Sequence, residues 1–165
     1  MGGKGWTKQP GADQYRRGLY VYWRRSTPYP SFLTFDAPNR EFCAAVRART
    51  STPLQSLVLM NDPVYVEAAR ALAQRVIKDG GTDAKARLAL MWRLAVTRTA
   101  SEQEQVILQK TLDQQLARYA QDAKAADAFT KVGDLPRPAD ANVPELAAWT
   151  AVANVVLNLN EAITN

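Results

Sequence analysis

Residues 52–81 read TPLQSLVLMNDPVYVEAARALAQRVIKDGG, and the punctuation of this stretch decides the fold. Thr52-Pro53-Leu54-Gln55 has the form of a capping box. A hydroxyl stands at the N-cap, proline at the first helical position, where its missing N–H is no loss, and glutamine at the third, able to reach back to the cap. It opens a short apolar helix from Pro53 to about Met60. Asn61-Asp62-Pro63 then restarts the chain, with Asp62 as cap and Pro63 again at the first helical position. From there Tyr65, Ala69, Leu72 and Val76 recur at helical spacing until Gly80-Gly81 ends the run.

The same signals continue toward the C-terminus. Thr82 or Asp83 caps a helix whose inner stripe is Leu88, Met91, Trp92 and Ala95. Thr99-Ala100-Ser101-Glu102 predicts a second capping box and a longer helix carrying Leu108, Leu112, Leu116 and Tyr119. Residues 131–143 (KVGDLPRPADANV) form a proline-containing connector. Pro144 and Glu145 open a last helix to about Ile163, with Leu146, Trp149, Ala153, Val156 and Ile163 inward and Thr150, Asn154, Asn158 and Glu161 along another face. That helix is apolar enough to be central, so its polar stripe needs buried partners, for which arginines of the first third are the expected source.

Toward the N-terminus the chain is harder to read. Residues 1–12 form a flexible start, and Asp13 is expected to cap a helix to about Arg25 that buries Leu19, Tyr20, Tyr22 and Trp23. Residues 26–40 (STPYPSFLTFDAPNR) hold three prolines, which exclude a long regular element, while Phe32, Leu33 and Phe35 anchor them as an ordered insert. The resulting expectation is an all-α fold over residues 1–165: a single helical domain of about six helices with a proline-rich, irregular N-terminal segment.

Composition removes several chemistries. Histidine is absent and there is one cysteine, Cys43, which excludes Ser-His-Asp and Cys-His catalysis, CxxCH haem attachment and an intrachain disulfide. With no EF-hand loop and no glycine-rich phosphate loop, no cofactor or metal is expected. No apolar run is long enough to span a bilayer. Charge is one-sided: residues 1–50 carry nine basic against three acidic residues, a net of +6, whereas the remaining chain is at −1. Such a segment fits an acidic partner: nucleic acid, an anionic polysaccharide, an anionic lipid or an acidic surface of another domain.

The candidate binding or structural residues are therefore Arg16, Arg17, Trp23, Arg24, Asp36, Arg40, Arg47, Arg49 and Asn61, joined by Asn154, Asn158 and Glu161 of the last helix. Arginine interleaved with aromatics in residues 15–25 offers charge for an anionic backbone and flat faces for stacking. The competing reading buries the aromatics and uses the arginines in structural ion pairs, and it is the expected one for at least half of them. Asp36 with Glu41 would make a general acid–base pair only if a cleft brought them together, so a non-catalytic role is favoured over an enzyme.

Read in order, Arg16-Arg17-Gly18-Leu19-Tyr20, Thr34-Phe35-Asp36-Ala37-Pro38, Arg49-Thr50-Ser51-Thr52-Pro53-Leu54-Gln55, Asn61-Asp62-Pro63, Val66-Glu67-Ala68-Ala69, Ala148-Trp149-Thr150, Asn154 and Asn158-Leu159-Asn160-Glu161 resemble the planctomycete PSD-type domain of unknown function. Ser51 and Asn160 depart mildly from the family's usual Asn and Asp. The resemblance implies a C-terminal domain of a large exported protein of the periplasm or cell envelope. Cytochrome-c-like domains would lie upstream in the same polypeptide. It implies no catalytic residue. The function expected is a non-catalytic interaction or structural module. The alternatives are a polysaccharide-binding module and part of a carboxylate-based hydrolase site completed by upstream domains. Nucleic acid is not an expected partner.

Overall fold

A computed structural model of the chain describes residues 11, 15–23, 28–38, 43, 45–46 and 48–164. Among them there are eight α-helices and no strand, so the all-α expectation holds. The chain divides into two compact units, Met1–Gln55 and Ser56–Asn165.

In the first unit the expected helix from Asp13 to Arg25 does not form across the described residues. Residues 15–23 hold a 3-10 turn at Gly18–Tyr20, closed by Tyr20 N–H to the Arg17 carbonyl (2.9 Å) and Val21 N–H to the Gly18 carbonyl (3.2 Å). Glycine, valine and aromatic residues are poor helix formers, and no packed face compensates for them here. Helix α1, Pro30–Thr34, occupies the stretch expected to be irregular, with Pro30 at its start and Phe35 as its C-cap. The flexible start and the Asp13 cap lie outside the described residues.

Helix α2, Pro53–Asn61, begins as expected: Gln55 N–H donates to Thr52 Oγ1 (3.3 Å) and Thr52 N–H to Gln55 Oε1 (3.2 Å). The second unit is built from α3 (Pro63–Asp79), α4 (Ala84–Val96), α5 (Glu102–Gln121), α6 (Ala123–Thr130), α7 (Val143–Leu157) and α8 (Asn160–Thr164). Asp62 caps α3 through Val64 N–H, Asp83 caps α4 through Ala86 N–H, and Asn142 caps α7 through Glu145 N–H. The box at the head of α5 is Ser101 with Glu104, two residues beyond the expected pair. Two helices read as continuous are split: Asp122 ends α5 and caps α6, and Asn158 ends α7 before α8.

Helix α7 is the core. It packs on α3, α4, α5 and α6, and nine of its fifteen residues are buried. Its alanines let neighbours approach closely, and the buried Thr150 hydroxyl donates back to the Leu146 carbonyl (2.7 Å), so that hydroxyl is not stranded. Around it lie Leu88, Met91, Trp92, Leu108, Leu112 and Tyr119, close to the expected inner stripes. On α3 the buried stripe is centred on Val66, Ala69, Ala73 and Val76, with Tyr65 and Leu72 only half-buried.

That stripe also contains two charged residues, Glu67 and Arg70, the latter 1% exposed. Arg70 donates to the carbonyls of Thr130 and Leu135, while Glu67 accepts from the Asp134 and Leu135 amides. The connector after α6 is therefore pinned by backbone hydrogen bonds to α3. Gly133 makes this possible: its φ is +93°, and a Cβ there would stand 2.0 Å from Glu67 Oε2. Gly133→Ala combines a left-handed backbone with displacement of a buried acceptor, and should cost at least about 2 kcal/mol. Urea unfolding midpoints of the two chains would measure it, and an unchanged midpoint would contradict the clamp.

Candidate functional site

Phe32 organises the described part of the first unit. Trp23 stacks on it with ring centroids 5.1 Å apart and planes 12° apart, and Tyr29 meets it edge-on at 5.3 Å. Gly18 lies against the same ring: a Cβ there would fall 2.8 Å from Phe32 Cε1. Both ends of residues 18–23 are thus held on Phe32, and Leu19, Tyr20 and Tyr22 between them turn outward. Leu19 is 80% exposed, Tyr20 62% and Tyr22 79%. Arg16 and Arg17 beside them are exposed as well. The expectation that Leu19, Tyr20 and Tyr22 form the buried side of a helix is therefore corrected. Val21 and Trp23 are partly covered, Trp23 by the Phe32 ring.

A polar knot supports this unit. The Asp36 carboxylate accepts from Thr50 N–H (2.7 Å) and from the Thr50 hydroxyl (2.8 and 3.0 Å to its two oxygens). Buried Gln55 donates through Nε2 to the Thr34 carbonyl (2.9 Å) and to Thr50 Oγ1 (3.2 Å). Asp36 has φ +57°, a region that aspartate enters more readily than most residues, and the turn aims its carboxylate at the chain 14 positions later. Of the polar residues around the proline-containing segment, the structure brings together Asp36, Thr50 and Gln55. Asn61 instead donates to the Leu57 carbonyl in its own helix (2.8 Å). Arg24, Arg40, Glu41 and Arg47 lie outside the described residues.

The last-helix stripe finds other partners than the arginines of the first third. Asn154 Nδ2 donates to the Leu59 carbonyl (3.3 Å) and Asn158 Nδ2 to the Ser56 carbonyl (3.4 Å), holding the C-terminal part of α2. Glu161 pairs with Arg98, whose Nε stands 2.7 Å from Glu161 Oε1 and whose Nη2 stands 2.7 Å from Glu104 Oε1. The guanidinium also lies over the Trp92 ring, 5.1 Å from its centroid. Among the described residues neither Arg17 nor Arg49 forms an ion pair, and both are exposed. The expectation of structural ion pairs does not hold for these two.

Local geometry and not pattern carries the Arg98 cluster. Thr97 takes a left-handed C-cap (φ +64°) and turns Arg98 across the head of α5 and onto α8. The Arg98 hydrogen bonds, and then the Ser101 amide, hold the Glu104 carboxyl down to about 2 from an ordinary 4.5. Arg98 likewise lowers Glu161 and is itself raised by the two carboxylates. Asp127 is lowered by Lys131 first and Arg137 second.

These groups are structural, and the described carboxylates are largely engaged in this way. A groove of about 840 Å³ runs between the end of α3 and residues 138–146, with Asp79 and Glu145 in its wall. Asp79 faces Arg75 (3.8 Å) and Glu145 faces Arg87 (3.0 Å), so these two acids meet cations and not each other. Among the described residues no group of three or more His, Cys, Asp or Glu gathers as a metal site requires, and no helix is long and apolar enough to cross a membrane.

The arrangement defines a helical chain whose distinguishing feature is an outward basic and aromatic surface. Residues 2–112 match PSD1, a protein family of unknown function (DUF1553), and the chain belongs to that family. No curated protein and no solved structure matches it.

Because Glu104 and Glu161 are lowered in the folded state, their contribution to stability is present above about pH 4.5 and is lost as pH falls below it, toward about 2 for Glu104. Arg98→Gln should flatten the fall of the thermal midpoint across that window while lowering the midpoint near neutrality. Parallel acid profiles for the two chains would remove the cluster from this role.

Proposed function

We propose that the chain is a non-catalytic interaction and structural module that offers the surface around Arg16, Arg17, Tyr20 and Tyr22, together with Arg49, to an acidic partner. The observation that carries this reading is the outward display of arginines and tyrosines on a segment held at both ends by Phe32. The engagement of Asp36 by Thr50 and Gln55 supports it, because a carboxylate held by three donors from its own chain is poorly placed for general acid–base work. The family resemblance supports the wider setting: an exported planctomycete protein of the periplasm or envelope, with cytochrome-c-like domains upstream as neighbours. A polysaccharide is the second reading, favoured by the exposed faces of Tyr20 and Tyr22.

Binding of the full chain to polyglutamate and to heparin, followed by affinity electrophoresis, tests the charge requirement. The combined variant Arg17→Ala, Arg49→Ala should retain stability to within about 0.5 kcal/mol, as exposed positions do. It should bind more weakly, with a shallower salt dependence. Failure of the native chain to bind either polyanion at low salt would overturn the reading.

A further inference from the structure

The 3-10 turn carries a residue that an acidic partner alone does not explain. Leu19 is 80% exposed between Arg17 and Tyr20, on a turn closed by its own backbone hydrogen bonds and backed by Phe32. Single exposed apolar residues are ordinary, but Tyr15, Leu19, Tyr20 and Tyr22 fall within eight positions and all lie more than half exposed. Tyrosine and arginine, which surround Leu19 here, are residue types in which protein-binding hot spots are enriched.

The chemistry of Leu19 selects among acidic partners. Sugars and bases are recognised by flat faces and polar edges, which tyrosine and arginine supply and an aliphatic side chain does not. An apolar side chain of a polypeptide can cover Leu19 and remove it from water. A bilayer could also take it, but one myristoyl chain holds a protein to a membrane only marginally, and one leucine is far less. The net +6 of residues 1–50 sets the sign of the partner.

Resting on the interaction reading above, we propose that Leu19, framed by Tyr20, Tyr22 and Arg17, is the anchor point for an acidic polypeptide segment bearing apolar side chains, so that the partner is a protein. The turn is preformed, so docking orders little of this chain.

Fluorescence anisotropy of the full chain with three short labelled peptides tests this: glutamate alternating with leucine, glutamate alternating with serine, and lysine alternating with leucine. The glutamate–leucine peptide should bind at least about tenfold more tightly than the glutamate–serine peptide. Leu19→Ala should abolish that difference, leave the glutamate–serine affinity unchanged and leave the melting temperature unchanged. Arg16→Ala with Arg17→Ala should weaken both acidic peptides. Equal binding of the two acidic peptides, binding of neither, indifference to Leu19→Ala, or tightest binding of the lysine peptide would overturn the proposal. So would Leu19-dependent binding to phosphatidylglycerol vesicles in place of peptide, which would assign the anchor to a bilayer. If polyglutamate and heparin still bind while leucine in the peptide brings no gain, the anchor fails and the broader reading stands. If nothing acidic binds, both fail.

Discussion

Glu67 and Arg70 stand one helical turn apart on α3, inside a stripe of otherwise apolar residues, and the second unit is organised around what they hold. Removing either charge from water costs several kcal/mol, and only well-placed partners offset that. Here the partners are backbone groups of residues 130–135, so the two side chains fix a piece of main chain that has no regular structure of its own. The connector so fixed leads to Asn142 and the start of α7, and α7 is the helix on which the core closes. Asp127 adds a second tie, accepting from Lys131 at 2.6 Å and from Arg137 at 2.9 Å across the same connector. Proline-containing connectors are ordinarily read as slack, but this one is an ordered part of the packing.

Much of the helical framework is legible in the sequence because caps are local chemistry. Thr52 with Gln55, Asp62 before Pro63 and Asp83 before the alanines all act where their residue types say they should. The box at α5 is ambiguous for a physical reason: Thr99 to Glu102 and Ser101 to Glu104 satisfy the same spacing. The contest is decided by Arg98, which draws Glu104 toward the turn. The division of α5 from α6 is hidden because Asp122 starts a helix without a glycine or proline to stop the one before. Glu67 and Arg70 are hidden differently, since the Thr130 carbonyl that Arg70 meets is 60 positions away. Two opposite charges on an otherwise apolar helical stripe are the one signal that points to them.

The surface of the first unit follows a similar rule. Residue types in Asp36, Thr50 and Gln55 announce polar contacts, but only the left-handed turn at Asp36 makes them meet. The run from Arg16 to Trp23 suits an amphipathic helix by composition. What works against one is the weak helical preference of Gly18 and the aromatics, while Phe32 engages the two ends of the run, Gly18 and Trp23. Burial of an apolar stripe requires an opposing surface of matching extent, and periodicity alone does not say whether one exists.

The central place of α7 has a consequence for the birth of the protein. Helices α3, α4, α5 and α6 leave the ribosome before it, yet each packs against it. During synthesis those helices have only part of their apolar partners. Until α7 emerges, their inner faces stay open to water and to other chains. The second unit therefore completes its core only once α7 has emerged, and a nascent chain stalled between α6 and α7 is the form in which this unit most needs a chaperone.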